Sequence, residues 1–369
     1  MQRSRIVFQG LKDKKMNSNM FLFNGLLMLG FVVATMPDTM VLGASGPLLV
    51  MDQDIPSRTC RYSRVGSMIQ VRCTNLGLDE IPSTLKSDIQ ILDASVNRVR
   101  ELTNKSLALY KNLAYLDLSD NFLQTIQPAA FDNLRYLEVL DMSKNGCDDL
   151  PSSLFQLPYL RKVFLYNNKL SDDLFRRVDV QSPLNFLQLS KNRFCKIPRL
   201  GPLPTLAHLN LSENLICSVT PEDLAPFCSL SALDLTKNPI KFNATACECQ
   251  AFNSWLKERA IQAQPVFNCT EELERGCPAK IEFTNRTTEL YERCEEILRL
   301  RLETEKARST WILVASCISV FLAVLFLGLF CVHKRNARTK KKLKEEQKLN
   351  ASNANTELLN SNLNQPENT

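Results

Sequence analysis

Between Ile89 and Phe242 one pattern of apolar and polar positions recurs seven times. It reads L-x-x-L-x-L-x-x-N-x-L, and its Asn falls at Asn97, Asn121, Asn145, Asn168, Asn192, Asn214 and Asn238. Successive asparagines lie 24, 24, 23, 24, 22 and 24 residues apart, and Leu113 to Leu123 matches at every position. The fourth and sixth positions, such as Leu116 and Leu118 or Leu209 and Leu211, alternate with their neighbours. That period of two predicts a short strand with its leucines turned inward. No single copy can bury those leucines, so the copies must stack them into a shared core. The Asn falls where the chain has to turn. Its amide donates and accepts at once, and repetition predicts a ladder that satisfies backbone groups buried by stacking. Leu107, Phe131 and Phe155 share a register beyond the strands and read as filling for the outer side.

A period of 22–24 residues is that of leucine-rich repeats. It predicts an α/β repeat solenoid over 89–242, a horseshoe with a parallel β-sheet on its concave face. Cys60 and Cys73 bracket the alternating Met68, Ile69 and Val71. They predict a disulfide-closed hairpin, within a cap at 60–88, that covers the open edge of the first strand. Beyond the last Asn come Asn238-Pro239-Ile240, Cys247-Glu248-Cys249, Trp255-Leu256, Cys269, Cys277 and Cys294, which delimit a second cap at 243–294. Residues 60–294 with these motifs resemble the extracellular leucine-rich-repeat proteins with cysteine-rich caps. The first cap of that family commonly carries four cysteines, and here there are two. By the resemblance, Cys247 pairs with Cys269 and Cys249 with Cys294, which leaves Cys277 over. A C-x-C pair with later cysteines also admits a zinc site, but a secretory context favours disulfides, and neither metal nor cofactor is expected.

Four more cysteines precede the apolar stretch at 311–332. Cys147 replaces an inward leucine of the third copy and reads as a free, buried thiol. Cys195 and Cys217 each lie three residues after their Asn in adjacent copies, close enough on neighbouring strands for a bridge. With Cys228 the total before that stretch is eleven, so at least one stays free or pairs between chains.

Two apolar runs set the topology. Residues 1–46 combine Arg3, Arg5, Lys12, Lys14 and Lys15 with an apolar stretch from Met20 to about Ala34 and small residues at Gly43 to Gly46. This is the layout of a secretory signal, cut after Gly46 or nearer Ala34, or kept as an anchor. Trp311 to Val332 holds 22 residues without a charge. As a helix it measures about 33 Å, enough to cross a hydrocarbon core of about 30 Å. Seven of the eleven residues from Lys334 to Lys344 are basic, which places the carboxy terminus in the cytosol. A plasma-membrane, single-pass type I protein is expected, with a charge-rich helical stalk at 295–310. The tail at 333–369, with seven Asn in its last twenty residues, reads as disordered. The basic cluster alone accounts for the net charge of +6, so no nucleic-acid partner is implied. Beyond the bilayer itself, the 334–344 cluster would attract anionic lipid. Sequons at Asn104, Asn210, Asn243, Asn268 and Asn285 agree with an extracellular location.

Chemistry is sparse. There are only two histidines, His208 and His333, and no nucleophile elbow, zinc-protease helix, P-loop or dinucleotide fingerprint. No catalytic residue is proposed and the chain is not read as an enzyme. Outward strand positions, by contrast, would line a broad concave surface of the kind solenoids offer to partners. Tyr115, Lys162, Phe164, Tyr166, Phe186 and His208 fall there, with Asp93, Asp117 and Asp120 alongside. Exposed aromatics on adjacent strands suit a protein interface better than plain solvent. The layout is similar to small neuronal surface proteins of this class, which implies adhesion or recognition at synaptic contacts. It also resembles the auxiliary gamma subunits of large-conductance potassium channels, and an innate-immune co-receptor is a third reading.

Overall fold

The computed structural model describes residues 59–176, 178–243, 247–270, 276–278 and 281–363, so the signal region at 1–46 lies outside the described residues. An antiparallel hairpin, β1 (Arg61–Val65) and β2 (Met68–Arg72), opens the fold. There follow β3 (Ile91–Asp93), β4 (Glu101–Leu102), β5 (Tyr115–Asp117), β6 (Thr125–Ile126), β7 (Val139–Asp141), β8 (Lys162–Phe164), β9 (Phe186–Gln188), β10 (His208–Asn210), β11 (Ala232–Asp234) and β12 (Gln262–Gln264). Ten of these strands form one sheet in the order β1-β2-β3-β5-β7-β8-β9-β10-β11-β12, and β4 pairs with β6 apart from it. From β2 to β12 every pairing in the sheet is parallel.

Register aligns the inward residues. Val71, Leu92, Leu116, Leu140, Val163, Leu187, Leu209 and Leu233 are paired in sequence across the strands, and all are buried. Each such side chain taken out of water is worth about 2 kcal/mol, which three-residue strands could not supply by hydrogen bonding alone. Leu107, Phe131 and Phe155 are fully buried behind the sheet, and Phe155 meets Phe175 edge-on at 5.4 Å. Cys147 is a free, buried thiol. Burial, and then nearby Asp148, pushes its pKa up to about 12.

The asparagine ladder forms along the whole stack. Asn121 Nδ2 donates to the Leu118 carbonyl of its own repeat at 3.0 Å and to the Ala94 carbonyl of the previous one at 3.1 Å. Its Oδ1 accepts from the Val99 N–H at 3.1 Å. The Oδ1 bond recurs from Asn97 to Asn238. The residue before each Asn is equally constrained. Val96, Asp120, Lys144, Asn167, Lys191, Glu213 and Lys237 all have φ between 54° and 57°. Only that left-handed backbone aims the residue's own N–H at the next repeat, as Val96 to the Ser119 carbonyl and Asp120 to the Ser143 carbonyl, both at 2.9 Å. The sequence pattern did not reveal this, because most of these residues are not ones that favour the left-handed region.

The second cap differs in its pairing from the one implied by resemblance. Cys249 joins Cys269, Cys247 joins Cys277, and Cys294 joins Cys228. Cys247 caps helix α2 (Glu248–Glu258) while Cys249 lies inside its first turn, so the two thiols leave the helix on different sides. Cys228, in the last repeat just after the short helix α1 (Pro221–Leu224), takes Cys294. The first cap is closed by Cys60–Cys73, whereas Cys195 and Cys217 are free and exposed, so the bridge considered between them is not formed. Trp255 of α2 is buried edge-on against Phe283 and Tyr291, with the Arg259 guanidinium 3.3 Å over its ring.

Helix α3 (Asn285–Leu363) contains 79 residues, among them Tyr291, Cys294 and the whole of Trp311–Val332. It is the one helix among the described residues long and apolar enough to cross a membrane. Cap, stalk, span and tail are therefore not separated by breaks at 294, 310 and 332. The tail read as disordered continues as helix to Leu363. Its Lys341–Glu345 and Lys342–Glu346 pairs lie at the i,i+4 spacing that suits a helix, ahead of the asparagine-rich end.

Three substitutions test this description. Asn121→Ala orphans three buried backbone groups and is expected to lower stability by about 3 kcal/mol. Val96→Asn keeps the turn with a residue that tolerates positive φ and is expected to raise stability by about 1 kcal/mol. Urea titration of the full chain, followed by Trp255 fluorescence, measures both; Cys228→Ser should in addition leave a free Cys294 on non-reducing peptide mapping, with Cys249–Cys269 intact.

Candidate functional site

Two columns of side chains point outward from the sheet. One passes through Tyr115, Val139, Lys162, Phe186 and His208, and the other through Asp93, Asp117, Asp141, Phe164, Gln188, Asn210 and Asp234. Most of the second column has a structural task. Ser95 donates through its N–H and hydroxyl to Asp93 Oδ1 at 3.2 and 2.7 Å, and Ser119 does the same to Asp117 at 2.9 and 2.6 Å. Ser212 with Asn210 and Thr236 with Asp234 repeat the arrangement, and the Ser143 N–H donates to Asp141 Oδ1 at 2.8 Å. This turn, in which the side chain accepts from the backbone two residues on, fixes the exit from β3, β5, β7, β10 and β11.

Repeat four departs from it. Phe164 and Tyr166 stand where repeats one to three have Asp and Ser, so Phe164 offers this turn no side-chain acceptor; repeat five departs as well, with Gln188 before Ser190. In exchange repeat four presents half-buried aromatic surface. The Phe164 ring lies 5.0 Å from Phe186, and Phe186 lies 5.8 Å from the exposed His208 imidazole. Lys191 Nζ sits 5.2 Å over the Tyr166 ring and 3.7 Å from Glu213, which Lys237 also approaches at 3.6 Å. Its contact with Tyr166 raises the Lys191 pKa. Lys162 is half-buried one residue before the inward Val163.

The structure thus gathers Phe164, Phe186 and His208 into one cluster and joins Tyr166 to Lys191. Tyr115 is not part of it: β7 and its buried Val139 separate it from Lys162. Burial, and then Glu138, raises the Tyr115 pKa. Lys191 was missed by pattern reading, although it lies one residue before its ladder Asn, as Lys144 and Lys237 do. Tyr136 and Tyr159, exposed and stacked at 6.2 Å, were missed as well. Each stands three residues before its strand, an offset visible in the sequence. Of the sequons, Asn104, Asn243, Asn268 and Asn285 are exposed, while half-buried Asn210 donates through Nδ2 to Asp234 Oδ2 at 3.0 Å.

A leucine rich repeat family model matches residues 90–172. The fold is that of the leucine-rich repeats. Mouse Tsukushi is 34% identical over 200 residues, covering 46% of this chain and 56% of Tsukushi. Mouse transforming growth factor beta activator LRRC32 is 32% identical over 152 residues, covering 40% of this chain and 22% of that protein. The chain therefore spans little more than half of Tsukushi and less of LRRC32. Among solved structures the mouse RP105/MD-1 complex aligns at 25% identity with a TM-score of 0.41, over 47% of this chain and 29% of that one.

If repeat four of this leucine-rich-repeat sheet owes its aromatics to binding, removing them should leave the fold intact. The double substitution Phe164→Asp with Tyr166→Ser builds the D-x-S turn of repeats one to three. Both side chains are only half-buried, so it is expected to stay within about 1 kcal/mol of the parent in urea titration. A loss of several kcal/mol would show the aromatics to be structural instead.

Proposed function

We propose that this chain is a type I cell-surface recognition protein that binds an extracellular protein through its concave face. The observation that carries the reading is the exchange at repeat four, where a turn-forming pair is replaced by Phe164 and Tyr166 next to Phe186 and His208. Lys162 and Tyr115 border the same surface. Aromatic anchors with a charged rim are the usual composition of protein interfaces. The orientation rests on the uncharged stretch within α3 followed by the basic cluster at 334–344. A role in adhesion at neuronal contacts is carried by the resemblance of the layout alone. We also propose N-glycans on Asn104, Asn243, Asn268 and Asn285. A glycan on Asn210 would cover the strands of repeats six and seven and confine a partner to repeats one to five.

The second reading, an auxiliary channel subunit, is favoured by one feature: α3 runs unbroken from the disulfide at Cys294 into the apolar span. Exchanging residues 311–344 for an unrelated span and flank separates the two.

Partners of the full chain on intact cells can be captured by proximity labelling and their binding then measured. Phe164→Ala and Tyr166→Ala are each expected to weaken that binding about 30-fold, as removal of a hot spot of about 2 kcal/mol does, with surface display unchanged. Binding should survive the span exchange. Unchanged affinity in both aromatic variants would move the site away from the concave face, and loss of activity on span exchange alone would favour the channel reading.

A further inference from the structure

The aromatic cluster occupies the middle of the concave sheet, and the repeats before it present a different chemistry. On β3, β5 and β7, Asp93, Asp117 and Asp141 stand in register on adjacent strands, about 5 Å apart. Phe164 continues the same column on β8. Two carboxylates near one end of this row are already matched. Arg72 on β2 lies 3.7 Å from Asp93, and Asp120 on the rim pairs with Lys144 at 3.0 Å. Asp117, between Asp93 and Asp141, has a carboxylate on either side. The other groups around it are Tyr115 of its own strand, Glu138 ahead of β7, Lys162 of β8, and the Ser119 N–H and hydroxyl that bond one of its oxygens. Burial, and then the charges of Asp141 and Asp93, lifts the Asp117 pKa to about 7 despite the Ser119 bonds.

An apolar floor continuing into a row of carboxylates selects its occupant by charge. Building on the concave face as the partner site, we propose that the bound element is a basic segment of a protein anchored by an apolar side chain. The anchor rests on Phe164 and Phe186, and arginine or lysine side chains lie over Asp141 and Asp117. From Phe164 to Asp117 is two strand spacings, about 10 Å, which three residues of extended chain span. A cation over Asp117 favours its charged form, so binding expels a proton. Affinity then falls as pH drops below about 7.

The test uses the full chain in nanodiscs of zwitterionic lipid and three fluorescent twelve-residue peptides. All share two phenylalanines and differ in carrying four arginines, four serines or four glutamates. Anisotropy at pH 7.4 should show the arginine peptide at least tenfold tighter than the serine peptide, with the glutamate peptide weakest. Moving to pH 5.5 should weaken the arginine peptide at least threefold and leave the serine peptide unchanged. The Asp117→Asn, Asp141→Asn double variant, whose turns Asn can close as Asn210 does, should bring the arginine peptide down to the serine level. Equal binding of the arginine and glutamate peptides, no binding of the arginine peptide, or an unaffected double variant overturns the proposal. If the peptides bind without charge preference but lose affinity in Phe164→Ala, the concave site stands and only its charge selectivity falls. If Phe164→Ala leaves every peptide unaffected, both readings fall together.

Discussion

The whole stack depends on one turn made seven times. Each repeat leaves its strand through a residue held at positive φ, followed by an asparagine whose amide bonds forward and back. Together they satisfy the backbone of a chain too tightly coiled to form longer strands, and they hold adjacent repeats in one register. Every inward leucine then falls opposite its counterpart. If the turn slipped by one residue, that column would face solvent. Burial supplies most of the stabilising energy, but the turn decides what is buried.

The same turn explains how far the sequence could be read. Leucine spacing and asparagines are side-chain signals, and they located the strands, the ladder and the buried Cys147. The left-handed residues carry no such signal. Val96 and Lys144 adopt that conformation because their N–H groups must reach the next repeat, a demand of geometry that overrides intrinsic preference. Disulfide pairing failed for a related reason. The family pattern counts cysteines within the cap, whereas Cys294 is met by Cys228 from the repeat that the cap covers. The aromatic face was legible as a list of outward positions. Its division was not, because Tyr115 and Phe186 share a column and only the intervening strands show them apart.

Outward positions therefore need two questions: whether a residue is exposed, and whether the turn already uses it. Asp93, Asp141 and Asn210 are in use, each accepting from the residue two places on. The sequon at Asn210 arises from the same arrangement, since replacing Asp by Asn in a D-x-S turn writes an acceptor motif into the chain. Phe164 has no acceptor to offer its turn, and so it stands out from the repeat rather than from the surface alone.

Helix α3 brings a consequence of another kind. From Cys294, bonded to the last repeat, to Trp311 at the start of the apolar stretch is 17 residues (311 − 294) of uninterrupted helix. Such a segment fixes a height of about 25 Å and also a bearing, because each residue turns the helix by about 100°. Where the span is held in a bilayer, the compass direction in which the concave face looks is then set by a residue count. One residue inserted between the disulfide and the span would swing that face by more than a quarter turn, while leaving every contact within the solenoid as it was.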